Sequence, residues 1–343
     1  MVRITLGNGR VISDHADPYI IAELNSSHDG KVETAKEMID AAKACGCDCV
    51  KLQSYTTESL FAEEYYQSNR VLKRFVQKFS LEESQLAELA AYCRSVGIDC
   101  SSTPYSEAEA KYLAELDTPF IKISSMEINN LPFLQYIAGL GKPMILSTGM
   151  STMEEIEEAV HAIEETGNRA LCILHCVSVY PAPPEIINLN NIRTLQERFP
   201  DYPIGYSDHT FGVAVPCAAT ALGAAVIEKH FTLDHNKMGM ENDMATEPDV
   251  MAEMVAACRN VATAMGSGER ILTDAEKEYA QKMRRSLVAT RDLAVGDVIA
   301  ASDLTAKRPG TGLPPGRLKD VIGKTVASPV KAGYLIKEEH IGA

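Results

Sequence analysis

The sequence predicts a (β/α)8 TIM barrel followed by a small β-rich domain. Three observations favour the barrel: eight short apolar segments alternate with helical patterns, each of these predicted strands ends in polar or ionisable residues, and no glycine-rich dinucleotide motif follows the first strand. A doubly wound open sheet is the other fold that this alternation allows. The polar strand ends favour the barrel, because active sites of such barrels are built at the carboxyl ends of the strands.

An N-terminal hairpin is predicted to precede the barrel. Residues 2–12 contain Asn8-Gly9 between two short alternating segments, and this dipeptide favours a two-residue type I′ turn. We expect the hairpin to plug the bottom of the barrel.

The eight barrel strands are predicted from short buried apolar runs. They lie, in order, at residues 19–22, 49–53, 98–102, 120–124, 144–147, 170–174, 202–206 and 224–227. Helices are predicted to begin at capping residues or prolines, at Ser80, Ser106, Pro132, Ser151 and Pro248. Residues 54–79 form a longer aromatic and charged connection, which we interpret as a lid or substrate loop.

The composition excludes several classes of partner. The chain has 343 residues, a net charge of −14 and a pI near 5.1, which argues against nucleic acid or an anionic membrane as partner. The nine cysteines are an odd number, and with no signal peptide they predict free thiols in the cytoplasm. Residues 211–227 are apolar, but Pro216, Gly223 and a charged strand end indicate a buried helix and strand rather than a membrane span.

The pattern changes from Ser286 onward, where short β-like segments are broken by glycines and prolines. We therefore predict a catalytic barrel at residues 1–270, a linker at 271–285 and a β-rich domain at 286–343. A domain of roughly sixty residues is near the lower limit for independent folding. We expect it to lean on the barrel or on a partner chain.

Two histidines are the first candidates for a metal site. His209 shares one strand face with Ser207, and His230 shares one with Glu228, because side chains on a strand alternate with a period of two. Adjacent parallel strands would bring both imidazoles to one point. Imidazole pairs of this kind suit a divalent metal, although each histidine alone has many structural uses.

The polar strand ends together form a ring around the predicted barrel mouth: Glu23, Lys51, Gln53, Thr103, Lys122, Ser125, Glu127, Ser147, His175, Ser207, His209 and His230. Two lysines with several hydroxyls suit the binding of a small phosphorylated acid. A metal held by the two histidines, with open coordination positions, would suit a substrate carbonyl that it polarises. A Schiff base on a lysine is the rival mechanism. It requires a lysine of lowered pKa, whereas a lysine beside phosphate stays charged.

A series of motifs in this order resembles the sialic acid synthases and related nonulosonic acid synthases. The motifs are Ile21-Ala-Glu23 with His28-Asp-Gly30, Val50-Lys-Leu-Gln53, Ser102-Thr-Pro104, Ile121 to Glu127, Leu146-Ser-Thr-Gly149, Leu174-His-Cys176 with Tyr180-Pro181, Tyr206 to His209, and Glu228 to Phe231. The C-terminal segment, with Lys307 to Pro315, resembles the antifreeze-like SAF domain that is fused to these barrels. The resemblance covers nearly the whole chain.

The resemblance implies a transferase that condenses phosphoenolpyruvate with N-acetylmannosamine or a related N-acyl hexosamine and releases phosphate. It implies that His209 and His230 hold a divalent metal, with Mn²⁺ expected and Mg²⁺ or Co²⁺ as alternatives. Catalytic roles fall to Glu23, Lys51, Lys122 and Glu127. Substrate contacts fall to Gln53, Thr103, Ser125, Ser147, Ser178, Tyr180, Ser207, Glu241 and Arg308. Arg308 would reach into a partner's barrel, which implies a domain-swapped homodimer.

The sequence departs from the family pattern around the sugar. Asn25 and Ser27 stand where glycine and asparagine are usual, and Ser178 replaces an expected asparagine. Glu241 aligns with an acidic sugar-binding residue, with Asp243 as the rival. The metal pair is intact, so the chemistry is better supported than the identity of the sugar. N-acetylmannosamine, its 6-phosphate and a 2,4-diacetamido-6-deoxyhexose of the legionaminic or pseudaminic type remain open, and the missing basic cluster favours a non-phosphorylated sugar.

Two other functions compete with this interpretation. One is a keto-deoxy sugar acid synthase that joins phosphoenolpyruvate to a shorter aldose phosphate, but such an enzyme would lack the terminal domain with Arg308. The other is a non-catalytic protein that binds a glycan or ice. A barrel kept only as a scaffold has no need of paired lysines, histidines and glutamates at one face.

Overall fold

The computed structural model describes residues 2–342 and divides into two compact units, which meet in sequence at Gly266 and Ser267. Each unit is described by itself. The first contains the predicted barrel, and the second contains the predicted β-rich domain.

The first unit begins with a hairpin of two antiparallel strands, β1 (Arg3–Thr5) and β2 (Val11–Ser13). Its apolar side chains Ile4, Leu6 and Ile12 pack against residues at the first half of the barrel strands, among them Tyr19, Phe120, Ile145 and Val226. The hairpin therefore closes the bottom of the barrel, as predicted.

The predicted two-residue turn of this hairpin is wrong. The backbone N–H of Leu6 donates to the carbonyl of Arg10 at 2.7 Å, so the loop comprises residues 7–9. Gly9 takes the left-handed position with φ 85°, which is the geometry of a three-residue hairpin loop.

Eight parallel strands follow and form one sheet that curves into a barrel. They are β3 (Tyr19–Glu23), β4 (Cys49–Ser54), β5 (Asp99–Pro104), β6 (Ile121–Ile123), β7 (Met144–Ser147), β8 (Leu171–Cys176), β9 (Ile204–Asp208) and β10 (Val226–His230). Pairing runs from β5 through β4, β3, β10, β9, β8 and β7 to β6. The two strands at the ends of this order, β5 and β6, also lie in contact. The hydroxyl of Ser101 donates to the carbonyl of Phe120 at 2.8 Å, so the barrel is nearly closed between them.

Helices connect the strands and cover the barrel. They are α1 (Val32–Ala44), α2 (Thr57–Leu60), α3 (Glu63–Ser68), α4 (Arg70–Phe79), α5 (Glu83–Val96), α6 (Glu107–Glu115), α7 (Leu131–Gly139), α8 (Met153–Glu165), α9 (Asn191–Arg198), α10 (Ala214–Ala221) and α11 (Pro248–Met265). Each of the longer ones turns an apolar stripe to the strands, as α1 does with Ala35, Met38, Ile39 and Ala42. The main core lies between the helices and the sheet.

Helix starts were predicted with mixed success. Ser106 caps α6, with its hydroxyl accepting from the N–H of Glu109 at 3.3 Å. Two other predicted caps are displaced, because α5 is preceded by Glu82, which forms a capping box with Gln85, and α8 is capped by Thr152. The hydroxyls of Ser80 and Ser151 donate instead to nearby backbone carbonyls.

Residues 54–79, predicted as a lid or substrate loop, contain the three helices α2, α3 and α4. Tyr66 and Val76 of this segment form a small apolar cluster with Tyr55 and with Met240 from a distant loop. Residues 211–227 contain α10 and the start of β10, which confirms the predicted buried helix and strand. Within residues 2–342, no helix combines the length and apolar character that crossing a membrane requires.

The second unit has its own core. It contains α12 (Asp274–Met283), β11 (Ser286–Ala289), β12 (Leu304–Lys307) and α13 (Leu318–Val321), and β11 pairs with β12 in antiparallel fashion. Isolated bridges and buried side chains such as Leu287, Ile299 and Ile336 hold the remaining segments together. The segment predicted as a linker, residues 271–285, includes helix α12.

Candidate active site

A cavity of about 220 Å³ opens at the carboxyl ends of the barrel strands. We call it the barrel-mouth cavity. It brings together thirteen of the predicted site residues: Glu23, Lys51, Gln53, Thr103, Lys122, Ser125, Ser147, Ser178, Tyr180, Ser207, His209, His230 and Glu241. Parallel strands deliver these side chains to one place because all eight strands end at the same face of the barrel.

Two imidazoles face each other in this cavity. The ring centroids of His209 and His230 are 5.3 Å apart. The Nδ1 of His209 bonds the carbonyl of Val177 at 2.8 Å, so Nδ1 carries the proton and Nε2 keeps its lone pair. Burial lowers the pKa of His230 well below its ordinary value, which keeps that imidazole neutral. Burial also lowers the pKa of His209, but the thiol of Cys176 and the carbonyl of Val177 outweigh it and the net shift is upward. Burial therefore favours the neutral, metal-binding form at His230.

The residues present fit a divalent metal with open coordination positions. The Nδ1 of His230 is buried and lacks a hydrogen-bond partner among the described residues. No group of three or more His, Cys, Asp or Glu side chains within residues 2–342 has the spacing of a metal site. A metal here would thus take two protein ligands and leave its other positions to water and substrate.

A network of buried lysines and glutamates lies beside the histidines. Lys51 forms an ion pair with Glu23 and donates to the hydroxyl of Thr103 at 3.3 Å. Lys122 donates to the hydroxyl of Ser147 at 2.6 Å. Glu228 lies between the two lysines, with its Oε1 3.8 Å from the Nζ of Lys51 and 3.7 Å from the Nζ of Lys122.

Burial and mutual attraction shift the pKa of each group in this network. Burial raises the pKa of Glu23 to about 7, against the lowering effect of Lys51. Burial lowers the pKa of Lys51, but the carboxylates of Glu228 and Glu23 outweigh it and the net shift is upward. For Lys122, burial dominates and its pKa is lowered. Burial raises the pKa of Glu228, but Lys122 and Lys51 bring it below its ordinary value.

Hydroxyls complete this part of the cavity. Ser207 donates to the Oε1 of Glu228 at 3.1 Å, and the hydroxyl of Ser125 accepts from the N–H of Gly149 at 2.9 Å. A Cβ at Gly149 would lie 2.2 Å from the hydroxyl of Ser178, so the backbone must approach closely here. Two lysines and several hydroxyls in a desolvated space suit an anionic ligand.

Other side chains line the cavity beside this network. The amide of Gln53 donates to the Oε1 of Glu23 at 3.1 Å, and the ring of Tyr180 lies 4.2 Å from that of His209. Glu241 lines the cavity and its Oε2 is 3.8 Å from the Nε2 of His230, whereas Asp243 is exposed and does not line it.

Three residues named from the sequence lie elsewhere. Glu127 does not line the cavity, and its carboxylate accepts from the amide of Asn130 at 2.9 Å. His175 bonds the carbonyl of Ile187 at 2.7 Å and stacks on Tyr206, so its surroundings are those of a packed core residue. Arg308 belongs to the second unit, where it is exposed and has no hydrogen bond or ion pair with any residue from 2 to 342.

The cavity also contains residues that were not predicted as site residues. These are Asn25, Leu60, Phe61, Tyr105, Ser124, Met126, Met150, Cys176, Glu228 and Met240. A signal existed for Glu228, which shares a strand face with His230, and for Tyr105 and Cys176, which lie at strand ends. Met240 had none, because it lies in the loop after β10, ten residues beyond His230, and reaches the cavity through contacts with Asn25 and Ser26.

A buried ion pair lies directly behind the histidines. The Nζ of Lys229 donates to the Oδ2 of Asp208 at 2.5 Å and to the carbonyl of Thr210 at 2.6 Å. The side chains of Lys229 and Asp208 are 2% and 0% exposed. The pair joins the two strand ends that carry His209 and His230, so it fixes the separation of the two rings.

Two family models match the chain. The model described as the NeuB family matches residues 38–270, and the model described as the SAF domain matches residues 284–342. The first match covers the barrel from within α1 onward and the second covers the small C-terminal domain, in the order expected from the sequence.

Individual relatives agree with these matches over nearly their full length. The chain is 36% identical to the N,N'-diacetyllegionaminic acid synthase of Legionella pneumophila, with 95% of each chain covered. It is 34% identical to the human N-acetylneuraminate-9-phosphate synthase, covering 98% of this chain and 96% of the relative. The crystal structure of the N-acetylneuraminic acid synthetase of Leptospira borgpetersenii superposes with a TM-score of 0.74 at 31% identity, covering 81% of this chain and 94% of that one.

Proposed function

The chain belongs to the NeuB family and carries a SAF domain, and we propose that it is a nonulosonic acid synthase that condenses phosphoenolpyruvate with an N-acyl hexosamine and releases phosphate. One observation carries the proposal: two imidazoles and two buried lysines face the same cavity. The imidazoles suit a metal that grips a carbonyl, and the lysines suit a phosphorylated acid.

Phosphoenolpyruvate is assigned to the end of the cavity that holds Lys51 and Lys122. Its phosphate and carboxylate would be bound by these ammonium groups and by the hydroxyls of Ser125, Ser147 and Ser207. Low dielectric strengthens each of these contacts. Because Glu228 already lies between the lysines, it holds them at a fixed separation before the substrate arrives.

The sugar is assigned to the histidine end. His209 and His230 would hold a divalent ion, for which Mn²⁺ is proposed and Mg²⁺ or Co²⁺ are the alternatives. When bound, such an ion supplies Lewis acidity to the open-chain aldehyde of the sugar. Gln53, Tyr180 and Glu241 surround the space beside it and would orient the remaining polar groups.

The reaction balances with one molecule of water. Carbon C3 of phosphoenolpyruvate bonds to the aldehyde carbon, the oxygen of water bonds to C2, and phosphate leaves C2 to give a 2-keto acid. Glu23 has a pKa raised to about 7 by burial, so near neutral pH it can accept a proton from the attacking water. Lys51, paired with Glu23, would stabilise the departing phosphate.

A non-phosphorylated sugar is proposed because the cavity holds no cation for a second phosphate. Lys51 and Lys122 are the only lysines or arginines among its described lining residues, and both are assigned to phosphoenolpyruvate. A 2,4-diacetamido-6-deoxyhexose is the second candidate, favoured by the apolar side chains Phe61, Met150 and Met240 at the cavity. These side chains suit the methyl groups of such a sugar.

Three further points belong to the same proposal. Arg308 is proposed to bind the N-acyl group of the sugar in a partner's barrel, within a domain-swapped homodimer. Its exposure and unused guanidinium donors support this assignment. Glu127 is proposed to act from the cavity mouth, since it follows the lining residue Met126. A cytoplasmic location is proposed from the nine free cysteines.

The product itself tests the proposal. The protein is incubated with Mn²⁺, uniformly ¹³C-labelled phosphoenolpyruvate and each candidate sugar, and the mixture is analysed by mass spectrometry. We expect a product that contains the sugar carbons and three labelled carbons but no phosphorus from phosphoenolpyruvate. A labelled pyruvate with unchanged sugar would contradict condensation.

A further inference from the structure

Asn25 joins two carboxylates of the barrel-mouth cavity. Its amide Nδ2 donates to the Oε2 of Glu241 at 2.9 Å and to the carbonyl of Met240 at 2.7 Å. Its backbone N–H donates to the Oε1 of Glu23 at 3.0 Å. Asn25 is 3% exposed, so these bonds form out of contact with water and both protons of its amide are used.

The backbone of Glu241 is in an unfavourable conformation. Its φ is 61°, in the left-handed region that a glutamate rarely adopts. Asn25 has a φ of 41°, which asparagine tolerates more readily than most residues. A strained residue beside a cavity persists only when its surroundings hold it, and such strain is common at functional sites.

The loop that carries Glu241 is otherwise well braced. The amide of Asn242 donates to the carbonyls of Asp234 and Lys237 at 2.9 and 2.8 Å. The hydroxyl of Ser26 donates to the carbonyl of Met240 at 3.0 Å and accepts from its N–H at 2.8 Å. These bonds, together with the bond from Asn25 to the carbonyl of Met240, fix the backbone of the loop, residues 234–244. The carboxylate of Glu241 is oriented by Asn25.

We infer that Asn25 is a positioning residue that fixes the carboxylate of Glu241 as an acceptor for a hydroxyl group of the sugar substrate. The inference rests on the proposed function. Asn25 occupies one lone pair of Oε2 and leaves Oε1 to the sugar. Because Glu241 lies 3.8 Å from His230, the acceptor acts at the carbonyl end of the cavity rather than at the phosphate end.

This arrangement makes Asn25 a determinant of sugar specificity. A carboxylate that is held in place and partly desolvated binds a sugar with a hydroxyl at the matching position more tightly than a sugar that leaves the carboxylate unpaired. Without Asn25, the carboxylate of Glu241 can rotate and its backbone strain can relax. Affinity for the sugar would fall, whereas the lysine site for phosphoenolpyruvate would be unaffected.

The variant Asn25→Gly tests the inference, because glycine accepts a φ of 41° without strain. We expect KM for the sugar to rise about tenfold, the loss of one hydrogen bond to a charged group. We expect kcat and KM for phosphoenolpyruvate to stay within about twofold. Asn25→Asp should raise KM for the sugar further, because two carboxylates would then face each other. Equal increases in both KM values would overturn the inference.

Asn188→Gly is the matched control. Asn188 is also an asparagine with positive φ, at 49°, but it is exposed and does not line the cavity. This variant should leave both KM values unchanged. A double-mutant cycle with Glu241→Gln supplies the second criterion. If Asn25 acts through Glu241, Asn25→Gly adds little to KM for the sugar once Glu241 is glutamine, and full additivity would refute the coupling.

Hydrogen exchange separates this inference from the proposed function. Backbone amides of residues 238–244 should exchange faster in Asn25→Gly than in wild type or in Asn188→Gly. Unchanged exchange would overturn the positioning role of Asn25 even in an active enzyme. If the wild type makes no product with any sugar, the proposed function fails, but faster exchange in Asn25→Gly than in Asn188→Gly would still support the hold of Asn25 on the loop. The Mn²⁺ affinity should be equal in all variants, and a change would place Glu241 at the metal instead.

Discussion

The ring centroids of His209 and His230 lie 5.3 Å apart at the carboxyl ends of β9 and β10, and neither ring is held there by the other. His209 is oriented by the carbonyl of Val177, and His230 is kept neutral by burial. The groups that position the two rings are therefore protein groups, and they do not depend on a bound metal.

His209→Ala should abolish turnover and metal retention while leaving the barrel folded. His209 is one of the two proposed ligands, so its removal should lower metal affinity by more than the roughly 10–100-fold that loss of a residue supporting a ligand costs. Mn²⁺ binding is measured by electron paramagnetic resonance, phosphate release gives turnover, and circular dichroism reports the fold. A variant that keeps normal activity would contradict the assignment of His209 as a ligand.

Lys229→Met should destabilise the protein strongly, because it leaves the buried carboxylate of Asp208 unpaired. We expect a loss of about 3–5 kcal/mol in the free energy of unfolding, measured by urea titration of the wild type and the variant. Lys282→Met is the control, since Lys282 pairs with Glu278 on the surface, with both side chains largely exposed. That change should stay within about 0.5 kcal/mol. Similar losses in both variants would show that the buried pair has no special role.

The stability of the folded protein should depend on pH through Asp14, and the burial of this carboxyl group sets the direction of the change. Burial raises its pKa from 3.8 to about 6, although its Oδ1 accepts from the N–H of Ile204 at 2.8 Å. The folded protein therefore binds more protons than the unfolded chain between about pH 4 and pH 6, so the contribution of Asp14 to stability falls as pH rises through this range.

Asp14→Asn should remove this contribution. The difference in unfolding free energy between wild type and variant is expected to shrink by about 1–2 kcal/mol from pH 4 to pH 6. Urea titrations at several pH values measure it, and the control Asp274→Asn changes an exposed carboxylate of α12. A difference that grows with pH would show that the buried carboxylate is stabilised in its charged form.

Arg308→Ala should weaken the apparent binding of the sugar far more than that of phosphoenolpyruvate, because the proposed bonds of Arg308 go to the N-acyl group alone. We expect KM for the sugar to rise about tenfold or more and KM for phosphoenolpyruvate to stay within about twofold. Lys307→Ala, an exposed neighbouring cation, serves as control. Equal losses for both substrates would refute the proposed role.

The sequence predicted the barrel well because the relevant signals are local. Strand alternation and polar strand ends can be recognised within a few residues, and they placed Glu23, Lys51, Lys122, His209 and His230 in one cavity. Capping positions were displaced by one or two residues where several hydroxyls compete for the same backbone groups, as at Ser151 and Thr152.

The unpredicted parts of the site depend on contacts between distant residues. The bond between Asn25 and Glu241 joins positions 216 apart, so no local pattern indicates it. Residues 54–79 form three helices whose buried side chains meet Met240, a contact that likewise requires the folded barrel. Only the closed arrangement of strands brings these segments to the same end of the molecule.

Metal-dependent phosphate release from phosphoenolpyruvate tests the central claim most directly. Metal-stripped protein is assayed with and without Mn²⁺ against N-acetylmannosamine, its 6-phosphate and a 2,4-diacetamido-6-deoxyhexose. Release that requires both Mn²⁺ and a non-phosphorylated sugar is the predicted result. Release that is equally fast without metal, or that occurs with the 6-phosphate alone, would contradict the assigned site. No release with any of the three sugars would contradict the proposed reaction and favour a non-catalytic glycan-binding protein.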